Sequence, residues 1–205
     1  VRENTLDALR AAAAEHGHGL ELDVRADGDR LVLSHDPAPW SLARDATPLL
    51  ADPPGDALHA LNVKEPAAMP AILDVLERAG TLDRFFLFDF ELACATREEA
   101  AALSAACARR GATVARRLSD REPVLGEIVS DDAVAHVWLD ELDGPWVDHD
   151  TVAALTGAGK HVWYVSPDLH GREGLDTLPA RWAQARDWGV TGICTDYATA
   201  ARTAA

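Results

Sequence analysis

Apolar and polar positions alternate along this chain in two rhythms, and the change from one to the other marks its elements. Leu6, Leu9 and Ala13 recur at helical spacing, which predicts a first helix over 6–15, capped by Asn4 or Thr5 and ended by Gly17 and Gly19. The stretch Gly19-Leu20-Glu21-Leu22-Asp23-Val24 then alternates with period two, as a strand does. The turn Ala26-Asp27-Gly28-Asp29 and the run Arg30 to Leu33 predict a hairpin arm folding back on that strand. After a Pro- and Asp-rich connection over 37–56, apolar strands are predicted at 58–63, 85–90, 113–118, 134–139, 161–165 and 192–195. Helices at 68–78, 96–110, 150–156 and 178–188 separate them.

Strands alternating with helices predict a parallel sheet covered by helices. Seven such strands are legible, the arm aside. No Gly-rich phosphate turn follows an early strand, as a doubly wound open sheet would require. The expectation is therefore an α/β chain of the TIM (β/α)8 barrel class, a single domain over 1–205. Its first strand is expected upstream of Val1, in sequence missing from an N-terminally truncated chain.

The polar residues that break the strand pattern fall near strand C-termini. They are Glu21 with Asp23, Asn62 with Lys64, Asp89 with Glu91, Arg117 with Ser119, then Asp140, Ser166, and Thr195 with Asp196. In barrels of this class that end carries the active site. Glu21 and Asp23 are two residues apart on one strand and project to one face. Two carboxylates so placed repel each other unless a cation lies between them, and hard divalent ions such as Mg²⁺ and Ca²⁺ take oxygen ligands of this kind. An isolated pair of this sort is otherwise two solvated acids on a half-buried strand. Asn62 and Lys64 repeat the spacing, which offers a neutral oxygen ligand and an ammonium suited to an anionic substrate such as a phosphate ester. His35, one hairpin away, is a candidate acid or base. His170 is a weaker candidate for substrate contact. Trp138, Trp146 and Trp163 fit either a cleft wall or rim packing.

Composition narrows the partners. The formal net charge is −15, and Lys64 and Lys160 are the only lysines, so there is no basic surface for nucleic acid. No apolar run reaches the roughly 20 residues that span a bilayer, so no stable membrane insertion is expected and a cytoplasmic location is. Cys94, Cys107 and Cys194 are far apart and odd in number, which predicts reduced, buried thiols. The composition leaves the oligomeric state open.

Arg2-Glu3-Asn4-Thr5, Gly19 to Val24 and Leu33-Ser34-His35-Asp36, in this order and spacing, resemble the opening of the glycerophosphodiester phosphodiesterase family, part of the phospholipase-C-like phosphodiesterase superfamily. Leu61-Asn62-Val63-Lys64 and Gly192-Ile193-Cys194-Thr195-Asp196-Tyr197 extend the similarity. The resemblance implies a barrel enzyme that cleaves a small-molecule phosphodiester with a divalent cation and two histidines. It implies metal ligation by Glu21, Asp23 and the residue at Asn62, with His35 as the second histidine and Lys64 beside the metal. Two departures stand out. The family's first histidine, in a His-Arg-Gly motif, would lie upstream of Arg2, and an acid is usual where this chain has Asn62. Asp89 is an alternative source of that carboxylate. The competing expectations are a catalytically impaired barrel that binds a phosphorylated lipid headgroup or sugar, and an unrelated sugar-phosphate enzyme using Glu21 as a base without metal.

Overall fold

A computed structural model describes residues 5–16 and 18–203. Asn4 and Gly17, the expected cap and stop of the first helix, lie outside the described residues, as does Arg2-Glu3-Asn4 of the resemblance. The chain divides into two compact units, Val1–Val114 and Ala115–Ala205.

In the first unit, helix α1 (Leu6–His16) leads to β1 (Glu21–Asp27), and β2 (Arg30–Leu33) folds back antiparallel on it, pairing Val24 with Leu33 and Asp27 with Arg30. The strand runs three residues beyond the expected Val24 because this ladder continues to the turn, where Gly28 takes φ 60°. Gly19 cannot carry a side chain: a Cβ there would lie 2.1 Å from the Leu58 carbonyl oxygen. That close approach lets Leu20 N–H donate to His59 Nδ1 at 3.0 Å and Ala60 N–H donate to Leu20 O at 2.8 Å, which starts the parallel ladder.

The connection over 37–56 is partly ordered by α2 (Thr47–Ala51). Strand β3 (His59–Val63) lies parallel to β1, with Asp23 beside Asn62, and β4 (Phe85–Phe88) lies parallel to β3, with Asn62 beside Phe88. Helix α3 (Met69–Ala79) buries Met69, Ile72, Leu73 and Leu76, a single stripe at i, i+3, i+4 and i+7, and ends at Gly80 with φ 72°. That stripe packs on Leu22, Val24, Leu61, Val63 and Leu87. At roughly 1.5–3 kcal/mol for each buried side chain, this contact fixes which face of each strand turns inward, and the alternate residues Asp23, Asn62 and Phe88 take the other. Helices α4 (Phe90–Ala93) and α5 (Arg97–Arg109) follow, the latter capped by Thr96, which accepts from Glu99 N–H.

Strand β5 (Thr113–Ser119) pairs through its first two residues with β4. The second unit continues it with α6 (Leu125–Ser130), β6 (His136–Asp140), α7 (His149–Gly157), β7 (His161–Val165), α8 (Leu178–Asp187), β8 (Gly192–Cys194) and α9 (Ala198–Thr203). Its strands are all parallel in the order β5-β6-β7-β8. Leu118, Val137, Leu139, Val162 and Tyr164 form its core with Ile128, Val152 and Leu155 from the helices.

The seven expected parallel strands and the antiparallel arm are all present. β2 is the edge strand of the first unit and β8 that of the second. Of the cysteines, Cys107 alone is buried; Cys94 and Cys194 are half-buried, and all three are free. Among the described residues no helix is long and apolar enough to cross a membrane.

Candidate metal centre

Strand alternation places Glu21, Asp23 and Arg25 on the face of β1 turned away from the helices. The register then sets Asn62 of β3 alongside, and Lys64, the residue after β3, follows with its N–H donated to Val24 O at 3.1 Å. Lys64 Nζ lies 2.9 Å from Asp23 Oδ1. Asn62, 6% exposed, donates from Nδ2 to Asp89 Oδ2 at 3.3 Å, while its Oδ1 is buried with no hydrogen-bond partner among the described residues. Asp89 reaches this position through an unusual backbone. Its φ is 65°, the only positive value at a non-glycine among the described residues, and it turns the chain out of β4 into α4. The expected strand over 85–90 is therefore cut at Phe88. Backbone strain of this kind costs of order 1 kcal/mol and persists where surrounding contacts hold it.

Glu21 experiences the whole cluster. Burial first, then the Asp23 and Asp89 charges, push its carboxyl up to about 8, against the opposing pull of Lys64 and a hydrogen bond from Asn62. Three carboxylates face one ammonium, and an amide oxygen is left over. A buried carbonyl oxygen without a donor is costly unless something else takes it, and a hard cation is such a partner. Among the described residues no group of three or more His, Cys, Asp or Glu is spaced to hold a metal ion. The oxygen donors gathered here are the Glu21 and Asp23 carboxylates and the Asn62 carbonyl, donors of the kind that Mg²⁺ and Ca²⁺ take.

His35 is placed differently from the expectation. Arg25, one pleat beyond Asp23, donates from Nε and Nη2 to the His35 carbonyl at 3.0 and 2.8 Å and from Nη1 to Glu65 Oε1 at 2.7 Å. Ser34 N–H donates to Asp23 O at 3.0 Å. The arm is thus fixed to the end of β1, and the Arg30 guanidinium lies 4.0 Å over the Trp40 ring. The His35 imidazole itself is 68% exposed and touches Asp36 Oδ1 at 3.2 Å. Among the described residues no hydrogen bond or ion pair joins the ring to Glu21, Asp23, Asn62 or Lys64. Beside it is a cleft of about 330 Å³ lined by Arg25, Ala26, Asp27, Pro37, Ala38, Pro39 and Glu65. Arg25 and Glu65 were not singled out from the sequence, because a strand-end arginine gives no sign of what it will bind.

The second unit carries a polar cluster of its own at the ends of β5, β6 and β7. Asp140 is bound by Arg117 on one oxygen and by His170 Nε2 on the other, at 2.6 Å for the latter. Glu141, fully buried, accepts from Trp146 N–H and Val147 N–H at 2.9 Å, from Tyr164 Oη–H at 2.7 Å and from Arg181. Burial pushes the Glu141 carboxyl up, yet the hydrogen bonds from Arg181, Tyr164 and Val147 outweigh it and hold the group below the usual range. Asp140 and His170 were legible as candidates. Glu141, Arg172 and Arg181 were not, since their partners come from a loop and a helix far along the chain. Trp146 Nε1 donates to Asp140 O and Trp163 Nε1 to His136 Nδ1, both at 2.9 Å.

The cluster draws on the first half of β1, from Glu21 to Asp23, and on the C-terminal ends of β3 and β4; with parallel strands that follow one another in order, it defines a TIM-like α/β protein with a candidate cation site. The fold is similar to that in the crystal structure of a glycerophosphoryl diester phosphodiesterase from Parabacteroides distasonis, with a TM-score of 0.64 over 98% of this chain and 80% of that one, at 11% identity. Neither a family model nor a curated relative matches the chain.

Proposed function

We propose that the chain is a metal-dependent phosphoric diester hydrolase acting on a glycerophosphodiester or a related phospholipid-derived phosphodiester. The observation that carries this reading is the pairing of Glu21 and Asp23 with Lys64, at the end of the adjacent strand, and with a buried Asn62 Oδ1 that has no hydrogen-bond partner among the described residues. The shared fold with a glycerophosphoryl diester phosphodiesterase supports it. A Mg²⁺ or Ca²⁺ ion on Glu21, Asp23 and Asn62 would supply Lewis-acid polarisation of a phosphoryl oxygen. Lys64 holds Asp23 in place and offsets negative charge that builds on the phosphoryl oxygens. Asp89 takes the Asn62 amide N–H, which leaves the Asn62 oxygen for ligation. His35 exchanges a proton with the attacking or leaving oxygen, from an arm anchored by Arg25.

A second reading is a phosphorylated-headgroup binder without turnover. It is favoured by the exposed His35 ring and by Asn62 at a position where an acid is usual in the family that the sequence resembles. Hydrolysis of glycerophosphodiesters and of a chromogenic phosphodiester by the full-length polypeptide, with and without chelator, separates the two. The enzyme reading expects turnover that chelator and Glu21→Ala both abolish. Turnover indifferent to both would refute it, and binding without turnover would establish the second reading.

A further inference from the structure

We propose that the second unit holds an oxyanion-binding site for a phosphoryl group, built from His170 and Arg172. The inference is independent of the phosphodiesterase reading.

The turn carrying both residues is tightly set. A short 3-10 segment, Pro167–His170, is closed by Gly171 at φ 65°, and Arg172 N–H donates to Pro167 O at 3.2 Å. From this turn His170 Nε2 meets the Asp140 carboxylate and Arg172 Nη2 donates to the Glu141 carbonyl, so the two side chains are anchored on consecutive residues at the end of β6. Asp140 is 2% exposed. Its carboxylate accepts from Nε2–H, and the other ring nitrogen, Nδ1, points away from Asp140.

The charges nearby are already claimed. Arg117 pairs with Asp140, Arg181 with Glu141, and Arg121 with Asp143 at 2.6 Å. Arg172 makes no salt bridge among the described residues. Its Nε and Nη1 are buried and have no hydrogen-bond partner there. Asp143 feels the Arg172 charge but is held by Arg121. Buried guanidinium donors left unmade cost free energy unless an acceptor arrives. A phosphoryl group brings several acceptor oxygens and negative charge, which matches a guanidinium and an imidazole carried by one turn and anchored on consecutive residues. His170 remains 22% exposed at its side chain, so its ring is reachable from solvent.

The test is ¹⁵N–¹H spectroscopy of the histidine ring nitrogens in the intact chain. Inorganic phosphate is titrated to roughly 20 mM at fixed pH and with ionic strength balanced by chloride. The His170 resonance is the one lost in His170→Asn. It is expected to shift saturably, Arg172→Gln to weaken the apparent affinity at least about tenfold, and Glu21→Gln in the first unit to leave it unchanged. In the wild-type chain the Arg172 Nε–H resonance, assigned with Arg172→Lys, is expected to move with the same apparent affinity, a readout that needs no variant to bind. A His170 resonance indifferent to phosphate, or one that shifts equally in Arg172→Gln, would overturn the proposal.

Discussion

Without a cation, Glu21 should destabilise the fold as the pH rises. Its carboxyl is raised from 4.5 to about 8 by burial and by the neighbouring Asp23 and Asp89 charges. The folded state therefore keeps a proton that the unfolded chain releases above 4.5. The stabilisation tied to that proton is complete below 4.5, falls across the window from 4.5 to about 8, and is gone above it. At 1.36 kcal/mol for each pH unit the ceiling is roughly 5 kcal/mol. Because Glu21 is half-buried rather than sealed from solvent, screening reduces the expected effect to about 2 kcal/mol. Glu21→Gln keeps the shape of the protonated acid and removes the titration. In chelator the variant should match the wild type near pH 4.5 and exceed it by about 2 kcal/mol at pH 8 and above. Urea denaturation followed by circular dichroism between those limits measures this. Millimolar Ca²⁺ or Mg²⁺ should close the gap, because a bound cation keeps Glu21 ionised in the fold. A constant offset between the two proteins across the whole range would refute the electrostatic account of the cluster.

Two further outcomes follow from the packing. His59 is fully buried, and burial, aided by the Arg84 charge, lowers its imidazole to about 4. Its contribution is complete above pH 6.5 and is lost between 6.5 and about 4, with a ceiling of roughly 3 kcal/mol. His59→Asn, which keeps an acceptor for Leu20 N–H, should flatten the acid limb of a urea-midpoint profile; an unchanged limb would contradict the assignment. Glu141→Gln leaves the Arg181 guanidinium beside a neutral amide in a buried network and should cost about 3–5 kcal/mol in equilibrium denaturation. A loss below about 1 kcal/mol would mean that the pair contributes little.

The strand rhythm was legible because each parallel strand is an apolar run bounded by turn residues, as in Phe85-Phe86-Leu87-Phe88 and His161 to Val165. Strand ends were less so. Asp89 reads as a strand residue, and its left-handed backbone, which ends β4, has no signature in a sequence of apolar neighbours. The convergence of Glu21, Asp23, Asn62 and Lys64 was readable from two i, i+2 pairs on neighbouring strands, since the parallel register sets them side by side. The position of the His35 ring was not, because the arm fixes its carbonyl through Arg25 while the side chain stays in solvent. Glu141 was invisible for a related reason: its burial depends on Arg181 and Tyr164, which arrive from 40 and 23 residues away.

Whether Glu21, Asp23 and Asn62 hold a divalent cation is decided by calorimetric titration of Ca²⁺ and Mg²⁺ into the chelator-stripped chain. One saturable site is expected, which Glu21→Gln and Asp23→Asn each weaken by at least about tenfold through the loss of a charged oxygen ligand. Absence of a saturable site in the wild-type chain, or a site that both variants leave intact, would contradict it.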